Sequence, residues 1–251
     1  MSTPSLPWWT NATTTFVPGH GLGRRPSQQS FPRLLTMTAT PFTVNRRLDL
    51  PYQYRLKMDQ GQEGACVGFA WSWAMSILNR RLYAARKLYL EAQLIDPWDD
   101  TPPQEGTSTY AGAQVLMTYG HWRFARGITF AVAASEGITA MRSARTVDEL
   151  RAAIFDGVPF VLGINWYTNF HAPEWGDFGK GGKRWWIGRT AHLGSIAGGH
   201  AICGFGARDD IEAFTLVNSW GMDYPIVNIP YTTVQRLLDE DGDAIIPVDR
   251  V

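Results

Sequence analysis

The sequence predicts an α+β fold in two lobes, and three observations lead there. Apolar residues recur at helical spacing through the first half, short β-prone runs bounded by glycine replace them after Pro159, and no fixed-period repeat marks a solenoid or propeller. The first helix is expected over 65–87, where Phe69, Ala70, Trp73, Ala74, Ile77 and Leu78 fall three and four apart. A second is expected over 107–119, with Thr107 or Ser108 as N-cap and Gly120 as stop, and a third over 147–155, closed by Asp156-Gly157. Strands are expected over 160–166, 200–205, 214–218 and 226–229, and a helix over 232–238 follows them. Residues 1–45, rich in Thr, Pro, Ser and Gly, read as an extended N-terminal arm. Residues 46–251 read as the compact domain, with a helical lobe over about 60–125 and a β-rich lobe over about 126–251.

Composition removes several classes of function. The 251 residues carry 23 Lys+Arg against 23 Asp+Glu, a balance that speaks against a nucleic-acid binder relying on a broad positive field. A hydrophobic fraction of 45% and a charged fraction of 18% describe a chain able to bury a core, not a disordered one. No apolar run approaches the ~18 to 20 residues of a membrane span. The N-terminus lacks a basic start followed by an apolar stretch, so no secretory signal is expected and a cytoplasmic location is the default. Two cysteines, Cys66 and Cys203, exclude a multi-cysteine zinc site, and the five histidines show no metal-ligand spacing.

Chemistry concentrates in three segments: Asp59-Gln60-Gly61-Gln62-Glu63-Gly64-Ala65-Cys66, Gly198-Gly199-His200-Ala201 and Asn218-Ser219-Trp220-Gly221. A thiol in the first turn of a helix sits where unpaired N–H groups and the helix dipole favour an anion. A histidine on a facing strand can hold that thiol's proton, and an amide side chain can orient the far ring nitrogen. His200 and Asn218 lie 134 and 152 positions after Cys66 (200 − 66 and 218 − 66).

In these segments the chain resembles papain-like, C1-type cysteine peptidases, whose His and Asn lie about 130–150 residues after the nucleophile. Of the family's Cys-Gly-Ser/Ala-Cys-Trp/Tyr signature it keeps Gly64, Ala65 and Cys66 and places Glu63 and Val67 at the other two positions. The resemblance spans about 48–229 and implies a two-lobed papain-like fold and peptide-bond hydrolysis through an acyl-enzyme, with no metal or organic cofactor. Carried over, Cys66 becomes the nucleophile, His200 the general acid and base, Asn218 the residue orienting the imidazole, and Gln60 the oxyanion-hole donor. Gly64, Gly106, Thr107, Gly199 and Trp220 become the substrate-binding positions, with Trp220 also shielding the His200–Asn218 pair from water. Glu63, standing where secreted members have a disulfide cysteine, suggests a bacterial or phage-like branch. Its carboxylate would oppose a thiolate three residues away, so it is expected to point elsewhere.

A polypeptide is the implied substrate, and the N-terminal arm is the expected contact for a virion or other protein partner. Two alternatives stand beside this: an amidase or transpeptidase acting on peptidoglycan or another non-protein amide, and a catalytically silent structural or virion module. Elsewhere ordinary structural roles are expected. Cys203 reads as a core thiol, 239–243 as a solvated acidic turn, and 176–183 as a loop near the cleft without the spacing of a phosphate loop. The tryptophans read mostly as core, with Trp185-Trp186 as a further candidate for the groove wall.

Overall fold

The computed structural model describes residues 21–27, 47–50, 58–96, 105–125, 128–130, 136–177 and 182–249. In chain order the elements are β1 (Arg24–Arg25), β2 (Arg47–Asp49), α1 (Cys66–Asn79), α2 (Ala85–Ile95), β3 (Thr107–Ser108), α3 (Thr109–Thr118), β4 (Arg123–Ala125), β5 (Ile128–Phe130) and β6 (Ile138–Ala144). Then come α4 (Val147–Phe155), β7 (Phe160–Tyr167), β8 (Glu174–Gly176), β9 (Arg184–Trp186), β10 (Ile196–Arg208), β11 (Ala213–Val217), β12 (Val227–Pro230), α5 (Tyr231–Asp239) and β13 (Asp243–Asp249). Helices α1 to α3 precede a sheet in the order β6-β13-β7-β10-β11-β12-β9-β8, with β2 added on β10. The fold is α+β, as the early helical and late β-prone patterns predict.

Helix α1 is apolar on nearly every face, and all but three of its fourteen residues are buried, as in a helix at the centre of a core. The single helix expected over 65–87 is two helices. Arg80 takes a left-handed conformation (φ 54°, ψ 40°) that ends α1, and α2 begins at Ala85 with Leu88, Tyr89 and Ala92 turned inward. Apolar spacing continues across the break, so periodicity alone joins the two segments. Asn79 Nδ2 donates to the Tyr83 hydroxyl at 2.8 Å and Tyr83 is buried, which anchors the connection. Helix α3 starts at Thr109, with Ser108 as the cap: its hydroxyl accepts from Ala111 N at 3.1 Å. Helix α4 spans the expected residues and carries a capping box between Thr146 and Glu149.

Strand β10 is the spine of the sheet, antiparallel to β7, β11 and β2. Most of β7 is buried, the mark of a strand covered on both faces. Strands β6 and β13 were not anticipated. Together they extend the sheet beyond β7, and Pro247 of β13 pairs with Met141 of β6 at a point where β13 no longer faces β7. Proline is tolerated there because its missing N–H costs no ladder bond to a strand on that side. Among the described residues no helix is long and apolar enough to cross a membrane.

Two buried polar clusters tie the layers together. Arg151 of α4 donates from Nε and an η nitrogen to Asp209 at 2.8 and 2.5 Å, both side chains fully buried, and Tyr231 of α5 donates to the same carboxylate at 2.8 Å. His121 stacks on Tyr83 with centroids 4.5 Å apart and meets the Ser72 hydroxyl through Nε2 at 2.7 Å. That hydroxyl donates its one proton to Gly68 O at 2.7 Å, so Nε2 carries the proton of the neutral imidazole.

Removing one partner of a fully buried ion pair strands the other, so Arg151→Met is expected to lower unfolding free energy in urea by about 3–5 kcal/mol. Unchanged stability would show that the cluster contributes nothing net. Burial pushes His121 down to about 3 from 6.5, so its contribution is complete above pH 6.5 and lost as pH falls towards 3, where the unfolded chain binds a proton that the folded chain refuses. Thermal unfolding of His121→Phe should show a shallower loss across that window than the parent chain.

Candidate active site

Cys66 is the first residue of α1. Ala65, at the N-cap, makes no side-chain capping bond and the first turn holds no acidic residue, so the helix presents uncapped N–H groups and the positive end of its dipole to the sulfur. The Glu63 carboxylate is turned away, accepting from Arg86 Nε at 2.9 Å, and Gly64 N donates to the Glu105 carboxylate at 2.8 Å. The backbones of Ala201, Gly23 and Val67 lie beside the thiol and favour its anion. Ala201 follows His200 on β10, so the packing of α1 on the sheet brings the sulfur to the histidine's strand position although the two lie far apart in sequence.

His200 is fully buried, and its Nε2 lies 2.8 Å from Asn218 Oδ1. The same oxygen accepts from Ser219 N at 2.8 Å, which fixes it as the amide oxygen and makes Nε2 the donor. In the neutral ring Nδ1 is then the basic atom, the one able to take a thiol proton. Trp166 meets the imidazole edge-on at 4.6 Å and Trp220 tilts over it at 4.9 Å, with His171 stacked on the outer side of Trp220 at 5.3 Å. Trp220 is only 2% exposed. Its indole packs beside the imidazole that Asn218 holds. Trp166 and His171 complete this aromatic enclosure; neither was singled out for it in the sequence, where both matched ordinary packing residues.

Gln60 is held by Ser219, which donates its hydroxyl to Oε1 at 2.6 Å, so that Nε2 points outward. Nε2 donates to Glu63 O at 2.9 Å and to Gly21 O at 2.8 Å. The second acceptor belongs to a segment that the sequence assigns to the arm. Residues 21–27 run through the groove: from the Gln60 amide at Gly21, past the Cys66 thiol at Gly23, into a parallel pairing of β1 with β3. Thr107 N donates to Gly23 O at 2.8 Å. The candidate substrate-binding glycines are the walls of this passage. A Cβ on Gly106 would lie 2.3 Å from Gly23 O, one on Gly199 would lie 2.0 Å from Arg24 O, and one on Gly23 would lie 1.8 Å from Gly64 O. No side chain fits at any of these contacts, so the groove is shaped for close passage of bare backbone.

Covered in this way, Cys66 has 0% exposure. Burial pushes its thiol up to about 11 from 9.0, against the opposing pull of the neighbouring backbone of Ala201, Gly23 and Val67 and of Arg24. The positive helix terminus alone would lower it; exclusion of water by the covering segment outweighs that. Cys203 is buried too, and burial alone raises it, in keeping with a core thiol on β10. Among the four candidate catalytic residues, His200 and Asn218 meet directly, Gln60 joins Asn218's neighbour Ser219, and Cys66 lies beside Ala201, the residue after His200. Trp185 and Trp186 sit on β9, three strands from β10, with Trp185 paired to exposed Trp175 at 5.2 Å. Residues 178–181 of the expected cleft loop lie outside the described residues, as do 1–20 and 28–45 of the arm.

No family model matches the chain. An uncharacterized peptidase C1-like protein of Acanthamoeba polyphaga mimivirus is 24% identical over 227 residues, covering 77% of this chain and 70% of the relative. Among solved structures, xylellain, a cysteine protease of Xylella fastidiosa, is similar with a TM-score of 0.69 at 20% identity over 93% of this chain and 97% of its own. A procathepsin B of Trypanosoma congolense follows with a TM-score of 0.60 at 13% identity, covering 92% of this chain and 87% of the other. The helix-borne thiol, the strand-borne imidazole with its amide partner and these overlaps agree: the chain has the papain-like cysteine-protease fold.

Proposed function

We propose that the chain is a papain-like cysteine endopeptidase whose catalytic domain is residues 46–251 and whose nucleophile is covered by residues 21–27. The supporting observation is the arrangement around Cys66: a thiol at a helix N-terminus beside the backbone of Ala201, the residue after His200, whose Nε2 is held by Asn218. With a peptide in the groove, His200 Nδ1 takes the thiol proton and the Cys66 thiolate attacks the substrate carbonyl carbon. The Gln60 side-chain amide and the Cys66 N–H hold the resulting oxyanion. His200 then protonates the leaving amine, and the C–N bond breaks to leave a thioester on Cys66. Water, deprotonated by His200, attacks that thioester and restores the thiol. Asn218 keeps the ring in the tautomer that both steps need. Gly64, Gly106, Thr107 and Gly199 receive the peptide backbone where residues 21–27 now lie.

Cys66→Ser should abolish cleavage of an unfolded protein substrate while unfolding stays cooperative, and activity surviving that change would reject the nucleophile. Gln60→Ala should lower kcat by about 10²–10³ with a smaller effect on KM, the signature of an oxyanion donor.

The covering segment makes its own prediction. A protonated sulfur favours the covered form, so that preference is complete below the ordinary thiol value of 9.0 and is lost as pH rises through about 11. Alkylation of Cys66 in the full chain, followed by mass spectrometry, should therefore rise steeply between pH 9 and 11. In Arg24→Ala the rise should move to lower pH, with at least about tenfold faster labelling at pH 8. Identical profiles would show that residues 21–27 do not control the thiol.

A further inference from the structure

Residues 105–108 form the wall that faces residues 21–27, and their backbone groups alternate between two directions. Towards the groove, Glu105 O accepts from Arg25 Nε and one terminal nitrogen at 3.3 and 3.1 Å, and Thr107 N donates to Gly23 O at 2.8 Å. Towards α2, Gly106 N donates to the Tyr89 hydroxyl at 3.2 Å, Gly106 O accepts from Gln93 Nε2 at 3.4 Å, and Ser108 N donates to Asp96 Oδ2 at 2.9 Å. The Thr107 hydroxyl donates to that same oxygen at 2.6 Å. A strand of two residues such as β3 cannot hold a position by itself. On its outer edge, side chains of α2 stand where a sheet would have a neighbouring strand, and its inner edge offers the Thr107 N–H to whatever backbone fills the groove.

Asp96 makes two of these ties, and the helix that carries it gains nothing from its charge. It is the C-cap of α2, extended at φ −68° and ψ 130°, beside the negative end of the helix dipole and with no basic residue in the last turn. A carboxylate there works against the helix. Its buried Oδ1 makes no hydrogen bond among the described residues, so the two donors from the wall, both on Oδ2, supply the compensation. Withdrawal of residues 21–27 leaves both bonds intact, because neither donor belongs to that segment.

We propose that Asp96 is a positioning residue for substrate. By holding β3 from behind, it keeps the Thr107 N–H aimed into the groove, where it binds the backbone of residues 21–27 in the covered form and the backbone of a peptide once they withdraw. This rests on the peptidase reading above. Because one amide serves both occupants, weakening it loosens the cover and the substrate together. In the unsubstituted chain the two losses offset each other in KM, since a weaker cover competes with a weaker peptide. Where the cover is already released, only the loss of substrate affinity remains. Arg24→Ala supplies that state: the acidic run expected as a solvated turn sends Asp243 inward, and Arg24, 2% exposed, donates to its Oδ2 at 2.7 Å, so the substitution removes a buried ion pair that ties the segment down.

The first test needs no substrate. Alkylation of Cys66 at pH 8 in the full chain, followed by mass spectrometry, should be about tenfold faster in Asp96→Ala than in the parent, the scale of one charge-assisted hydrogen bond. Asp96→Asn, whose amide oxygen can accept from both donors, should recover most of the parent's protection. The second test follows peptide cleavage in the Arg24→Ala chain. Adding Asp96→Ala there should raise KM about tenfold with kcat within about twofold, and asparagine should recover most of the loss. In the chain that keeps Arg24, the rise in KM should be smaller. A purely structural defect would instead lower kcat and thermal stability together. Labelling of Asp96→Ala at the parent rate, or a loss confined to kcat, would overturn the proposal and leave the peptidase reading intact. If Asp96→Ala fails to fold, Thr107→Val, which removes one of the two donors, decides in the same way: faster labelling supports the proposal and the parent rate overturns it. Failure of the Arg24→Ala chain with Asp96 intact to cleave any peptide would instead remove the peptidase reading, and this inference with it.

Discussion

The structure depends on the contact between the first turn of α1 and the middle of β10. A helix buried on nearly all sides is held by packing, and its first turn lies against β10 with the Cys66 sulfur beside the backbone of Ala201. From that contact the rest of the site follows. Pairing of β10 with β7 sets His200 opposite Ile164, and pairing with β11 brings the chain to Asn218 as that strand ends. Ser219 then reaches Gln60 through both backbone and side chain, linking the Asn218 turn to the segment that leads into α1. No member of this set can move by a residue without turning its neighbours to the opposite face.

The same geometry explains how a reactive thiol is held quiet. The groove is lined by glycines on both banks, and a single extended backbone fills it so closely that Cβ atoms would overlap carbonyls at several points. Water is excluded, and a sulfur that the helix terminus would acidify is instead kept protonated. Hydrogen bonds at Gln60 and Thr107, one buried ion pair at Asp243 and the packing of Leu22 against the core hold the segment down. Such an attachment is strong while both partners stay dry and weakens sharply once either is hydrated.

Much of this was legible in the chain. Cys66, His200, Asn218 and Gln60 stand in short segments of small residues, and helix α4 has a cap, a period and a Gly stop that are all local. The elements that escaped notice are those with conflicting local signals. The α1–α2 break falls inside a continuous apolar period, and β13 carries a proline and begins in an acidic run that resembles a turn. The arm of 1–45 reads only as an extended segment because its composition offers no sustained helical or strand period. Residues 21–27 nonetheless order in the groove, since glycine-rich backbone is what the groove accepts.

By itself, then, the sequence determined the chemistry available: which side chains can attack, shuttle a proton or hold an oxyanion, and their order along the chain. Those are properties of residue type and short-range spacing. Tertiary structure alone decided that Gly21 meets the Gln60 amide and that Arg24 reaches a carboxylate 219 residues away. No local pattern encodes such an encounter, because a buried charge pair becomes favourable only when the surrounding fold has removed water from both partners at once.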